Sequence, residues 1–243
     1  MPFFFVYLLK ESYIMINRGT ISGDIISYTS LSVNDKRRLE EAIQGLLSEL
    51  RHQLGKDNFL GRLVQGDHIE CAFVAPQQVL RTVLLLKTYI KSLDIPGGSA
   101  KEKRLRLFRE HGIRLAAAVA PLDAFDPEAG IIDGEAIQLS GRTIQSQDTS
   151  GKQNIIIKKT LFFRASEPET EEHFEPVFAL LDTLLSKCTA KQCQVVYLKL
   201  MGWDEGAIAK RLNKYRSTIN EHSTAAGWHS IQTAVEHFEN RIR

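Results

Sequence analysis

The sequence predicts an α+β fold in two parts, a βαββαβ unit over residues 16–165 and an all-helical segment over residues 177–243. Three observations predict it. Short strand-like apolar runs alternate with long helical stripes through the first part. Between the two parts, residues 166–176 crowd Glu167, Glu169, Glu171, Glu172 and Glu175 around Pro168 and Pro176, which reads as an acidic linker. Beyond that stretch, every segment has helical spacing.

Taken in order, residues 1–15 are expected to be a disordered lead or a start-site artefact. Their apolar run Phe3–Leu9 is far shorter than the roughly 20 residues that span a bilayer. It also lacks a basic n-region and a small-residue cleavage site. Residues 16–27 read as a buried strand ending in Gly23-Asp24-Ile25-Ile26. An amphipathic helix from Asn34 to Leu54 follows, with Leu39, Ile43, Leu46, Leu47 and Leu50 on one stripe and Ser32 and Asp35 at its start. Two strands, 60–65 and 68–74, meet at Gly66-Asp67, a hairpin signal. Pro76 opens a helix to Leu93, because a proline in the first turn sacrifices no hydrogen bond. A polar insertion starts at Pro96 and runs into a short helix. Residues 113–121 form a fourth strand with small side chains, Gly134–Gln145 a helix, and Asn154–Ile157 a last strand. Five helices are expected after the linker, at 177–187, 190–201, 204–212, 216–226 and 229–242, the second capped by Thr189 and Gln192.

With 243 residues, 43% of them hydrophobic and 25% charged, the chain has the composition of an ordinary globular protein. A net charge of +2 excludes a polycation, so any nucleic-acid affinity must come from a local patch. Residues 177–243 hold nine Lys or Arg against six Asp or Glu, a mild excess that points to a homodimer or a partner for tight binding. Cys71, Cys188 and Cys193 show no zinc spacing and read as buried thiols of a cytoplasmic protein, with no membrane partner. His52, His68, His111 and His173 share no ligand spacing and read as surface or loop residues, while His222, His229 and His237 fall on successive helices at spacings that make no metal site.

The most informative pattern lies near the C-terminus. Ala209 is small, Ile208 and Leu212 are apolar one turn apart, Asn213 sits where the chain must bend, and Ile219 follows ten residues after Ala209. Two short helices need those residue types at those offsets to cross tightly, and Asn tolerates positive φ. This run resembles the helix-turn-helix of LuxR-type response regulators and of sigma-factor region 4. The resemblance implies DNA contact, with RNA polymerase as another partner. Ser217, Thr218, Asn220 and Glu221 would face base edges at the helix start. Lys210, Arg211, Lys214 and Arg216 would seat phosphates. Lys214 and His222 depart from the pattern, since apolar residues are usual there. The plain alternative is a helical hairpin that packs on the rest of the chain.

The first part, of ferredoxin-like strand order, resembles the class III nucleotide cyclases. Gly23-Asp24-Ile25 through Leu31 is similar to their first-strand motif, Gln65-Gly66-Asp67 to their hairpin, and Gly134 through Arg142 to their Gly-x-x-Val-Asn-x-Ala-x-Arg helix. The resemblance implies Asp24 and Asp67 as ligands for Mg2+ or Mn2+, assisted by the Ile25 carbonyl. It also implies Gln138 at the ribose and Arg142 at the transition-state charge. Leu63, Gln138 and Ser27 replace the family's Lys, Asn and Gly, so a nucleotide-binding or structural descendant is expected in place of an active enzyme. Other readings stay open: Asp24 capping a turn, Asp67 as an ordinary hairpin residue, Arg142 solvated. Gly23-Asp24-Ile25, Gly66-Asp67 and Ala225–Trp228 together resemble the SatD-like proteins, which implies a transcriptional regulator. Two functions follow as expectations. One is a DNA-binding regulator with a degenerate cyclase-like sensory or dimerisation domain. The other is a metal-dependent nucleotide cyclase or nucleotidyl transferase acting on ATP or GTP through Asp24 and Asp67.

Overall fold

A computed structural model describes residues 16–95, 102–147 and 157–242. The expected lead at 1–15, the start of the insertion at 96–101, and Asn154 to Ile156 of the last expected strand lie outside the described residues. Strands β1 (Asn17–Ile25), β2 (Phe59–Val64), β3 (His68–Phe73), β4 (Ile113–Pro121) and β7 (Leu161–Ala165) form one mixed sheet in the order β2-β3-β1-β4-β7. β1 is antiparallel to both β3 and β4, whereas β4 and β7 run parallel. A second, two-stranded sheet pairs β5 (Ala124–Asp126) with β6 (Ile131–Asp133) in a short hairpin between β4 and α4.

Side chains alternate across a strand, and that alternation sorts the sheet's two faces. Gly19, Ile21 and Gly23 face α1 (Val33–Leu54) and α2 (Gln78–Ser92). Their approach is so close that a Cβ on Gly19 would stand 2.2 Å from Val79 Cγ2. Thr20 and Ser22 face the other way and hydrogen-bond Ser140 of α4 (Glu135–Gln145) at 3.2 and 2.8 Å. Ala116 and Phe162 pack with Ile144 on that same face. The small side chains of β4 thus seat α4, as their size suggested. Helix α3 (Glu102–His111) leads directly into β4.

The expected acidic linker is not a linker. Helix α5 (Pro168–Ser186) begins inside it, with Pro168 in its first turn and Glu169 and Glu171 where the helix dipole favours negative charge. Glu171 accepts from Arg164 Nη1 at 2.8 Å and from the Ala165 amide at 3.0 Å, and Glu175 pairs with Lys159. Its acids therefore fasten α5 to both ends of β7, Glu171 at the last residues and Glu175 just before the first. The last strand also differs from expectation, since Ile157 is outside any strand and β7 starts at Leu161.

Helices α6 (Ala190–Leu200), α7 (Glu205–Leu212), α8 (Arg216–Ala225) and α9 (Trp228–Arg241) complete the chain. The anticipated Thr189–Gln192 capping box opens α6. Apolar packing runs without a break across the expected boundary at 166–176. Phe163 of β7, Phe174 and Phe178 of α5 and Phe238 of α9 form one aromatic cluster, with ring centroids 4.7–6.2 Å apart. Arg81 of α2 holds Glu239 of α9 at 2.7 Å and the Leu200 carbonyl at 3.2 Å. A buried polar group joins the layers as well. Lys87 Nζ donates to the carbonyls of His111 and Ile113 at 2.7 and 2.8 Å and to Thr160 Oγ1, with Asp182 of α5 at 3.9 Å. Among the described residues, no helix is long and apolar enough to cross a membrane.

Candidate functional site

Two regions hold most of the sequence-predicted residues. The first is a cleft of about 490 Å³ at the end of β1, lined by Asp24, Gln65, Asp67, His68, Arg114, Ile144 and Gln145. The β2–β3 turn forms one wall. Gln65 and Gly66 both take positive φ there, at 53° and 82°, and the Ile25 amide donates to the Asp67 carbonyl at 3.0 Å. Asp24 and Asp67 therefore do share a cleft. Burial and the Asp24 charge push the Asp67 carboxyl above the ordinary carboxylate range.

Arg114 changes what that cleft can do. It lies directly opposite Asp24 on β4, on the same face, and donates from Nε at 3.0 Å and from Nη2 at 2.6 Å. Its third arm, Nη1, reaches the Gln147 carbonyl beyond α4. The Arg114 side chain is only 9% exposed and that of Asp24 23%. Asp24 thus neither caps a turn nor stands open; it is one half of a bidentate ion pair. Sequence reading missed Arg114. The available signal was a single charged residue in the otherwise apolar strand 113–121, but which strand would lie opposite is a long-range fact.

The two-metal arrangement does not fit these donors. Both Asp24 oxygens already accept from a guanidinium that a dication would have to displace. Among the described residues, no group of three or more His, Cys, Asp or Glu is placed to hold a metal ion. Gln138 and Arg142 do not join the carboxylates either. They are exposed on α4, bond to each other at 3.3 Å, and lie outside the cleft lining.

The second region is the α7–α8 corner. Asp204 caps α7 by accepting from the Gly206 and Ala207 amides at 2.8 and 3.0 Å. Asn213 ends that helix in the left-handed region, at φ 50° and ψ 52°, and the Lys214 amide closes back on the Ala209 carbonyl at 2.9 Å. Ile208, Ala209 and Ile219 are buried in a small core with Val195 and Leu198 of α6. Ser217, Asn220 and Glu221 stand exposed on either side of Ile219 in sequence, and Thr218 is half-buried. Lys210, Lys214 and Arg216 are exposed too, with Glu205 3.8 Å from Arg216 Nε. Arg211 lies over the Trp203 ring, 4.9 Å from its centroid.

No protein-family model, curated protein or solved structure matches the chain. The reading of the corner therefore rests on its geometry. Lys191 of α6 lines a groove there with Asn213, Lys214, Tyr215, Thr218 and His222. Tyr215, at the N-cap of α8, is 83% exposed. Neither Lys191 nor Tyr215 was expected at this surface. A large aromatic at an N-cap, where Ser, Thr, Asp or Asn is usual, was the signal for Tyr215.

Proposed function

We propose that this chain is a DNA-binding transcriptional regulator that inserts the start of α8 into the major groove. Its α/β part would be a degenerate nucleotide-cyclase-like domain, used for sensing or for dimerisation. One observation carries the reading: Ser217, Asn220 and Glu221 are in solvent while Ile219 among them is buried against α6 and α7. A helix whose apolar residue anchors it and whose polar N-terminal residues point outward is what a recognition helix requires. Asn pairs bidentately with adenine and Glu accepts from cytosine, so these side chains suit base edges. Lys210, Lys214 and Arg216 surround them at positions suited to phosphate. The three-residue turn after α7, with Asn213 in the left-handed region, supports the helix-turn-helix reading.

The strand order β2-β3-β1-β4, with β1 antiparallel to both neighbours, supports a ferredoxin-like core. Asp24 and Asp67 in one cleft support kinship with the cyclases, and the Arg114 clamp supports its degeneracy. No catalytic step is assigned to the cleft.

The test is selection from a random-sequence duplex pool with the full chain, followed by affinity measurements on the enriched duplex. Three phosphate-seating cations predict a loss on the order of 50-fold between about 50 and about 200 mM salt. A pool that emerges unenriched, with no retention at the lower salt, overturns the proposal.

A further inference from the structure

At the start of α6, Thr189 is the N-cap and Gln192 the third helical residue, and the side chain of each accepts from the other's backbone amide. In a helix start of this kind, the residue before the cap packs against the fourth helical residue as an apolar staple. Here both staple positions are cysteines, Cys188 and Cys193. Both thiols are free and both belong to the main core. Cys188 Sγ is seated by the carbonyls of Leu184, at 3.5 Å, and Ala226, at 3.9 Å. The staple contact is therefore held from the α5, α6 and α8 sides at once.

The two thiols have unequal settings. Cys188 keeps 8% of its surface in solvent and forms part of the wall of a cleft of about 570 Å³, with Lys91, Phe108, Arg109, Thr189 and Lys191. Cys193 is fully buried and outside that lining. The carbonyls of Leu185 and Ser186 hold Lys91 Nζ nearby, at 2.6 and 3.3 Å. Hydrogen bonding from the Cys193 thiol outweighs burial and, with the Lys91 charge, holds the Cys188 thiol below the ordinary range. The same bond and burial push Cys193 up. We propose that Cys188 and Cys193 are a redox-active dithiol that hydrogen peroxide converts to a disulfide, with Cys188 attacking and Cys193 resolving. The Cys188 thiolate attacks one peroxide oxygen: the S–O bond forms, the O–O bond breaks, and hydroxide leaves to take up a proton as water. The Cys193 sulfur then displaces the sulfenic hydroxyl: the S–S bond forms, the S–O bond breaks, and a second water leaves. Two thiols are oxidised and one peroxide is reduced. The disulfide ties the end of α5 to the first turn of α6. The inference stands independently of DNA binding.

The experiment treats the reduced full chain with hydrogen peroxide in native buffer, blocks the remaining thiols with iodoacetamide, and maps tryptic peptides by mass spectrometry. Trypsin cuts after Lys187, Lys191 and Lys199, so the disulfide joins peptides 188–191 and 192–199. The joined species is expected at about 2 Da below the sum of the two reduced peptides, and dithiothreitol should separate it. In Cys193→Ser, dimedone should label Cys188 as its sulfenic acid, whereas Cys71→Ser should leave the crosslink unaltered. The urea-unfolded chain should form the bond at least about tenfold more slowly, because the fold sets the staple contact. The wild-type map decides by itself should a serine variant fail to fold. Absence of the joined peptide overturns the inference, as does a bond from Cys71, an unlabelled Cys188 in folded Cys193→Ser, or equal rates in the folded and unfolded chains.

Discussion

Arg114 and Asp24 face each other across β1 and β4, and their ion pair sits where only a small part of either side chain meets water. Removing one partner leaves a poorly solvated charge behind, which costs more than the pair contributes when intact. Arg114→Met is expected to lower unfolding free energy by roughly 2–4 kcal/mol in urea, and the double variant Asp24→Leu/Arg114→Met to recover more than half of that. Equal losses in the two would contradict the pairing. Lys87 supplies a pH prediction. Burial pushes its ammonium down from 10.5 to about 7, against the opposing pull of Asp182. Between those values the unfolded chain holds a proton that the folded chain has shed, so raising the pH through this window stabilises the fold. Below about 7 both states are protonated and Lys87 contributes no slope. Chemical denaturation at pH 7 and pH 9 should therefore show a gain of up to about 1.4 kcal/mol per pH unit over Lys87→Met, which lacks the group. Identical slopes would contradict it.

At the scale of elements, the turn at Asn213 is the most sharply specified by sequence. Its left-handed backbone suits Gly as well as Asn but strains a residue with an ordinary Cβ by about 1–2 kcal/mol. Thermal unfolding should find Asn213→Gly within about 0.5 kcal/mol of wild type and Asn213→Ala about 1 kcal/mol less stable; two equal variants would argue against a conformational role. That turn was legible because its chemistry is local, as were the stripe of α1 and the Thr189 cap of α6. Helix α5 was obscured for a physical reason. Its first turns are acidic, with apolar residues only from Phe174 onward, so periodicity failed where the start signal of Pro168 followed by Glu169 and Glu171 was in fact present. The β5–β6 hairpin escaped because three-residue strands carry too little alternation to register.

For the whole molecule, the order of elements could be read along the chain, but not what each packs against. Arg114 could not be placed opposite Asp24 without knowing that β4 pairs with β1. His173 and His237, 64 residues apart, could not be brought together without knowing that α5 packs on α9. The same long-range packing joins the C-terminal helices to the α/β layer through Arg81, Lys87 and the aromatic cluster, while α7 and α8 keep a small core of their own against α6. One end of the molecule is thereby fixed and the other presents a polar-tipped helix. The most direct test compares the wild-type chain with Arg216→Ala/Asn220→Ala on the duplex it selects, by fluorescence anisotropy at fixed salt. Loss of one phosphate contact and one bidentate base contact predicts affinity weaker by at least about tenfold, with circular dichroism unchanged. Equal affinity in the two proteins would contradict the account.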